Sequence, residues 1–402
     1  MARHIFYGWW IVAACFLISF YVGGVVFFGF TAFFEPIKDE FGWSYTQISF
    51  AASLRGLEMG ILAPIIGFFL DRFGPRKLSL VGVITVGLGL VLLSSTHSLA
   101  MFYAAFLLIA LGAGGCATLV LMTSVAHWFH KKVGVALGVM MSGFGASGLM
   151  VPLIVRLIEL YDWRITLMVL GMGMWALGIP LSFVIRGEPE QYGHLPDGRL
   201  SGQAMPTVAP KAEGAGLGFK EALMERSFLY LSLSEAIRLM ILLAVITHVM
   251  PYLSDVGVPR HNAGLVAAAI PIFSIIGRFG FGWMADRFDK RYVLALTFCF
   301  MGLGILFFCY MQERWVIFPF LLLFSPGFGG GSIMRGAILR EYFGRGAFGK
   351  LLGIVMGSGA VGGIIGPTVA GMAFDILASY QLIWIAFCGL SVVAIGLVMR
   401  IR

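Results

Sequence analysis

Apolar residues in this chain come in long unbroken blocks rather than in alternation. Stretches free of Asp, Glu, Lys and Arg occupy positions 5–34, 78–130, 133–155, 165–185, 239–254, 292–312, 315–334, 351–374 and 376–399. A helix crosses the hydrocarbon of a bilayer with about 20 mainly apolar residues, so each block predicts at least one span. The 78–130 block holds two, divided at Ser94-Ser95-Thr96-His97-Ser98. The 239–254 block extends back to 227 if Glu235 and Arg238 are interior to it. Two further spans carry isolated charges: 45–70, with Arg55 and Glu58, and 262–285, with Arg278. The prediction is twelve helices.

Composition agrees with the pattern. Of 402 residues, 59% are apolar and 12% charged, with mean hydropathy +0.93. Soluble domains carry about 25% charged and about 45–50% apolar residues. A soluble enzyme, a secreted disulfide scaffold and a disordered chain are excluded, and the chain reads as an integral membrane protein. The net charge of +8 is scattered through the gaps between blocks and forms no basic face, so nucleic acid is not an expected partner. Cys15, Cys116, Cys299, Cys309 and Cys388 all fall inside apolar blocks without metal or disulfide spacing. The first block is too long for the apolar core of a signal peptide and predicts a first membrane helix.

Basic residues orient such a chain, because they stay on the cytoplasmic side. With both termini inside, 19 of the 28 Lys and Arg face the cytoplasm and five (Lys38, Arg156, Arg164, Arg260, Arg314) face out. That predicts a multi-pass protein of the cell inner or plasma membrane with both termini cytoplasmic. The one long polar stretch, Gly187 to Lys220, separates six helices from six. The expected organisation is an N-terminal half at 1–186, a cytoplasmic linker at 187–225 and a C-terminal half at 226–402.

The halves repeat each other at an offset of 215. Pro36 falls on Pro251, Gly67 on Gly282, Asp71 on Asp286, Arg72 on Arg287, Phe73 on Phe288 and Arg76 on Arg291. Parallel repeats of this kind place a binding site near the midplane, with the halves rocking around it. Gly67-Phe-Phe-Leu-Asp71-Arg72-Phe-Gly74-Pro-Arg76-Lys77 resembles the signature loop between helices 2 and 3 of the major facilitator superfamily. Gly282-Trp-Met-Ala-Asp286-Arg287-Phe-Asp-Lys290-Arg291 resembles its second-half copy. The resemblance implies an all-α membrane fold of twelve transmembrane helices in two six-helix pseudo-repeat halves. It makes Asp71, Arg72, Arg76, Asp286, Arg287 and Arg291 gating-loop residues, so loss of Asp71 is expected to slow transport more than binding.

Other motifs point away from enzymes. Gly143-Phe-Gly145-Ala-Ser-Gly148 and Gly357-Ser-Gly359-Ala-Val-Gly362 fit a dinucleotide fingerprint but lie inside membrane spans without the preceding strand. Small residues at that spacing let helices approach closely. Gly344-Arg-Gly-Ala-Phe-Gly349-Lys350 lacks the hydroxyl residue a nucleotide-binding loop needs for magnesium, since Leu351 follows. His127 and His130 have no carboxylate or cysteine companions. No catalytic residues, metal or cofactor are expected.

Charges inside the bilayer carry the functional reading, because each is costly and functional by default. Arg55 with Glu58, and Glu235 with Arg238, are three residues apart and can neutralise each other on one helix face. They are candidates for buried ion pairs or for proton coupling. Arg278 has no acid one turn away, with Ser274, Ile275, Phe281 and Gly282 as its helical neighbours. An unpaired guanidinium suits a carboxylate, which it grips with two parallel hydrogen bonds; the alternative is a bridge to Glu58 or Glu235. Arg335, nearer the cytoplasmic end, is expected to snorkel. His248 can change charge near neutral pH and stands before Pro251 as a proton or substrate ligand, or as a packing residue. Tyr21, Phe27 and Phe28 would supply an apolar wall.

Three features are similar to the monocarboxylate transporter and oxalate/formate antiporter branch. They are Tyr7-Gly8-Trp9-Trp10, His127-Trp-Phe129-His-Lys131-Lys132-Val-Gly-Val-Ala136-Leu-Gly138, and the helix 8 arginine, Arg278. The resemblance implies that Arg278 binds substrate carboxylate. Proton-coupled members have an acid one turn before that arginine, where this chain has Ser274. The expected function is a monomeric secondary transporter of small organic anions, a lactate- or pyruvate-like monocarboxylate moved with a proton. The rivals are an organic-anion exchanger and a proton-driven drug exporter, the latter from Gly366-Pro367 in helix 11.

Overall fold

The computed structural model describes residues 6–54, 63–116, 118–129, 133–187, 189–192, 219–311, 313–343 and 348–401. No strand occurs among them. Among the described residues, eleven helices are long and apolar enough to span a membrane. We number the spans α1 (Tyr7–Phe41), α2 (Tyr45–Ser53, together with the described stretch that opens at Ala63), α3 (Arg72–Ser94), α4 (Leu99–Trp128), α5 (Val135–Tyr161) and α6 (Trp163–Val184). The second series is α7 (Arg226–Asp255), α8 (Arg260–Ala285), α9 (Lys290–Phe308), α10 (Ile317–Phe343), α11 (Phe348–Leu377) and α12 (Gln381–Met399). The expected break at Ser94–Ser98 is the α3–α4 turn, where Ser98 caps α4 by accepting the Met101 N–H.

The first span runs beyond its predicted end at position 34. It continues through a π turn at Gly23–Phe28 and a 3₁₀ turn at Gly29–Phe33 into a helix at Phe34–Phe41. Glu35 and Lys38, which end the apolar block, sit in these last turns. Gly42 closes the helix at φ 65°, where a side chain would strain the backbone.

The α2–α3 corner is made by Gly74, at φ 77° and ψ 164°, followed by Pro75. Only glycine adopts that φ freely, and the proline holds its predecessor extended. The equivalent corner before α9 uses Asp289 instead, which accepts the Arg291 N–H. Arg291 also donates to Asp289 through its guanidinium (Nη2–Oδ2 2.7 Å) and to Ile401 O (2.9 Å), fastening this loop to the end of α12. These bonds hold the Asp289 carboxyl below its usual range. Lys290 forms an ion pair with Glu341. Arg287 lies over the Trp283 ring, Arg72 over Phe73 and Arg76 over Phe183. Asp286 is exposed and ends α8; the Asp71 side chain lies outside the described ones.

The chain forms two compact units. Unit 1 comprises Met1–Phe27, Leu62–Ser147 and Arg164–Glu213. Here Gly82 packs on the α4 backbone at Gly112, and Gly143 on Phe16 O of α1. Unit 2 comprises Phe28–Ile61, Gly148–Trp163 and Gly214–Arg402. It joins the far segments of α1, α2 and α5, remote from the termini, to α7–α12.

Two proline breaks show how unit 2 is knit. A proline has no N–H for the carbonyl four residues before it. Pro251 therefore leaves Thr247 O free on α7, and the Thr31 hydroxyl of α1 donates to it (3.1 Å) while accepting the Met250 N–H (3.2 Å). Its repeat partner Pro36 leaves Ala32 O free on α1, and Arg260 of α8 donates to that oxygen (2.6 Å). Each half mends the other's broken helix.

Glycines set the remaining approach distances. A β-carbon on Gly362 would strike Ala236 O of α7, and one on Gly366 would strike Met240 O. Gly329 of α10 meets Ser274 O of α8 in the same way. Of the second glycine motif, Gly359 and Gly362 thus serve helix packing, whereas Gly357 has nothing within 4 Å. We expect Gly362→Val to destabilise the protein by about 1–3 kcal/mol, the usual cost of overpacking, and Gly357→Ala to be tolerated. Melting temperatures of the two purified variants check this.

Candidate functional site

The charged spacing on α7 forms the ion pair it predicts. Glu235 and Arg238, one turn apart, are 4% and 3% exposed. Arg238 donates through Nε to Oε2 (2.8 Å) and through Nη2 to Oε1 (2.7 Å), the two-pronged geometry that suits a guanidinium and a carboxylate. Room for the pair comes from glycines on neighbouring helices. Gly359 of α11 lies against Glu235 Cγ, and Gly331 of α10 against Arg238 Cδ.

Arg335 corrects the expectation that it snorkels to the membrane surface. It turns inward from α10 and donates through Nη1 to Glu235 Oε1 (2.6 Å). A carboxylate buried this deeply is costly to leave under-partnered, and a second guanidinium gives it a further charged hydrogen bond. Glu235 therefore serves two arginines and forms no bridge to Arg278.

Arg278 has no hydrogen bond or ion pair among the described residues, and its Nε is buried without a partner. Its direction follows from helix geometry. Gly264, Ala268, Pro271, Ile275, Arg278 and Gly282 recur at steps of three and four residues, which is one face of α8. Toward the far end this face packs on α5, since a β-carbon on Gly148 would meet Ala268 O and Pro271, and one on Gly264 would meet Val155. About a quarter-turn round the helix lie Ile276, Phe279 and Trp283, with Phe279 74% exposed. The guanidinium thus leaves α8 on the side that meets α5 two turns further on.

Ser274 is fully buried against α10, and its hydroxyl donates to Pro271 O (2.6 Å). Tyr21 donates to Leu170 O within unit 1 (2.7 Å), and Phe28 is buried. Arg55 and Glu58 lie outside the described residues.

His248 is fully buried at the far end of unit 2, among α2, α11 and the start of α12. Its Nε2 lies 3.0 Å from both Ser49 Oγ and Pro367 O, and its Nδ1 lies 2.9 Å from the Tyr380 hydroxyl. A carbonyl oxygen can only accept, so Nε2 carries the hydrogen. In the neutral ring Nδ1 then accepts from Tyr380.

Beside this histidine lies a residue that sequence reasoning missed. Asp375 on α11 accepts the N–H groups of Tyr45 (2.9 Å) and Thr46 (2.8 Å) and the Thr46 hydroxyl (2.6 Å). Ser44 and Gln47 close a reciprocal capping box on the same turn. All four free N–H groups at the start of α2 are satisfied, and a carboxylate from another helix sits at its positive end. In the sequence, Asp375 only separates two apolar blocks, so it reads as a boundary.

A family model for the Major Facilitator Superfamily matches residues 9–253 and 239–402. The chain belongs to the Major Facilitator Superfamily. Monocarboxylate transporter 12-B of Danio rerio is 26% identical over 396 residues, covering 93% of this chain and 82% of that protein. The uncharacterized MFS-type transporter YcxA of Bacillus subtilis (strain 168) is 26% identical over 381 residues, covering 90% and 88%. Among solved structures, the nucleoside transporter NupG has a TM-score of 0.76 at 13% identity, covering 98% of this chain and 99% of that one. A bacterial homologue of the human lysosomal transporter Spinster has a TM-score of 0.72 at 15% identity, covering 99% and 95%. These two share the fold. The chain is a multi-pass membrane protein and a secondary transporter, not an enzyme.

Removing the α2 cap tests the far-end network. Asp375→Ala is expected to cost about 0.5–2 kcal/mol, the usual value of an N-cap. Asp375→Asn keeps an acceptor oxygen and is expected to lose less; thermal melts of both variants decide.

Proposed function

We propose that this transporter moves small organic anions by alternating access, and that its substrate is a monocarboxylate of the lactate or pyruvate kind taken up with a proton. The observation that carries the reading is Arg278, a guanidinium within a membrane span that has no partner among the described residues. Such a group is costly to leave uncompensated, and a substrate carboxylate completes it with two parallel hydrogen bonds. Relatives named as monocarboxylate transporters support this substrate class. An anion and a proton cross together without net charge, so the membrane potential does not oppose uptake.

The protein acts as a monomer, with both termini in the cytoplasm as the distribution of basic residues indicates. The far end of unit 2 then faces outward. Opening that side requires the bonds from Asp375 to α2, from His248 to Ser49 and from Thr31 to Thr247 to break together. The Asp71 and Asp286 loops act as latches on the cytoplasmic side.

A second reading, exchange of one organic anion for another, is favoured by the surroundings of Arg278. Ser274 stands where proton-coupled members have an acid, and Glu235 is already bound by two arginines. Uptake that requires a counter-substrate on the other side supports exchange; uptake driven by a pH gradient alone supports symport.

The test of the anion site is a thermal-shift screen of small carboxylates. Lactate or pyruvate is expected to raise the melting temperature of the wild type. Arg278→Ala should abolish that rise, because truncating one partner of a buried charge pair costs about 2–5 kcal/mol. An undiminished rise in Arg278→Ala would place the site elsewhere.

A further inference from the structure

One imidazole joins five elements of unit 2. From α7, His248 reaches Ser49 of α2 and Pro367 O of α11 through Nε2, and the Tyr380 hydroxyl before α12 through Nδ1. Phe34 of α1 packs on its ring, with centroids 5.3 Å apart. The Ser49 hydroxyl spends its hydrogen on Tyr45 O (2.6 Å), so it accepts from Nε2 as Pro367 O does. The Tyr380 hydroxyl makes no second hydrogen bond among the described residues, and its hydrogen points to Nδ1. The closed arrangement therefore has a place for one ring hydrogen, and the ring is neutral.

A second hydrogen, on Nδ1, would meet the hydrogen of Tyr380 and place a charge where neither side chain is more than 1% exposed. Such a charge needs an acid bonded to it. The charged groups at this end are Glu35 and Lys38 of α1, Asp255 of α7, Arg260 of α8 and Asp375 of α11, and none of them hydrogen-bonds to the ring. The Asp375 charge acts on the ring, but its oxygens are spent on α2. Oδ1 accepts the Tyr45 N–H, and Oδ2 accepts the Thr46 N–H and hydroxyl, a set of donors that requires an ionised carboxylate. Lys38 lies over the Tyr45 ring (4.4 Å) and donates to its hydroxyl (3.2 Å), which brings positive charge to the same end. The remaining titratable neighbours are tyrosines. Tyr252 of α7 packs on Tyr380 and donates to Phe308 O.

Opening this end undoes the arrangement. Parting α2 from α7 and α11 breaks the bond to Ser49 and admits water, and a hydrated imidazole takes up a proton at about pH 6.5. Closure must then expel it. The closed contacts and a proton on His248 exclude each other, so each acts on the other through linkage.

We propose that His248 is a proton site that fills when the far end of unit 2 opens and empties when it closes, so that acid on that side drives the carrier toward its open form. The inference goes beyond the reading of Arg278 and does not rest on it, and it holds for symport and for exchange alike. Above about pH 6.5 the open form carries no extra proton, and the closed contacts keep their full strength. Below that, each unit of pH favours the open form about tenfold.

The test is hydrogen–deuterium exchange of the full chain in detergent between about pH 8 and pH 4. It is read on residues 44–54 and corrected for the intrinsic pH dependence of exchange. The Tyr45 and Thr46 N–H groups are held by Asp375 and are freed when this end opens. Their protection is expected to fall about thirtyfold between pH 7.5 and pH 5, the fall setting in near pH 6.5. His248→Gln keeps a donor for Pro367 O and an acceptor for Tyr380 but takes no proton, and it should abolish the fall. Asp375→Asn should lower protection at every pH and leave the fall in place. His261→Gln, on the exposed first turn of α8, should leave it in place too. If His248→Gln does not fold, a fall that sets in near pH 6.5 and survives in His261→Gln reads the same result. Protection that stays flat with pH in the wild type overturns the proposal. So does a fall that persists in His248→Gln, one that sets in only at the carboxylate range near about pH 4, or one shared by residues 99–115 of α4 in unit 1.

Discussion

At membrane depth, away from a water-filled cavity, no water is at hand to complete a polar group, so a charge or a freed carbonyl finds its partner within the protein or in what it binds. An unsatisfied group there costs several kcal/mol. This constraint explains the arrangement of the second unit more fully than apolar packing does. Thr247 O and Ala32 O, released by prolines, are each taken up by a donor from another helix. The N–H groups that open α2 are taken up by Asp375. Where the constraint is left unmet among the described residues, at Nε of Arg278, Nη1 of Arg238 and Nε of Arg335, the missing partner is itself informative.

How far this was legible depended on whether a partnership is local. The Glu235–Arg238 pair is visible in the sequence because three residues is one turn, and Arg278 is visible because it interrupts an apolar span with no acid nearby. Arg335 was misread because its partner lies 100 residues away. Position near a helix end suggested the membrane surface, but the deeper carboxylate prevails. Asp375 was hidden for a related reason: a lone acid between two apolar blocks looks like a loop residue until another helix brings its N-terminus to it. Thr31 was silent altogether, since a threonine in an apolar block carries no charge to mark it.

The fold was more legible than the site because it is written redundantly. Twelve spans, the repeated Asp-Arg-Phe block and the glycine patterns each point to the same architecture, and the structure departs from them mainly at element ends. The first span shows why. A charge-free stretch stops at Glu35, but the helix continues to Phe41 because charged heads are tolerated in its last turns. Its π and 3₁₀ turns at Gly23–Phe33 have no counterpart in hydropathy; they fall where Gly23, Gly24 and Gly29 remove side chains and Thr31 bonds to α7.

The charge cluster and the far-end network share one support. Arg238 and His248 lie ten residues apart on α7, about 15 Å along the helix. The facing helix α11 carries Gly359 beside Glu235 and Pro367 beside His248. Between these levels the two helices are in backbone contact at Gly362 and Gly366, so neither can shift along the other without displacing both groups. A change of charge around Glu235 therefore acts on the same helix pair that holds the far end of the first repeat through His248 and Asp375. Coupling in a carrier needs a physical link of this kind between the group that senses the substrate and the contacts that must break. In this chain the helix contact at Gly362 and Gly366 joins the two levels through backbone rather than through a chain of side chains.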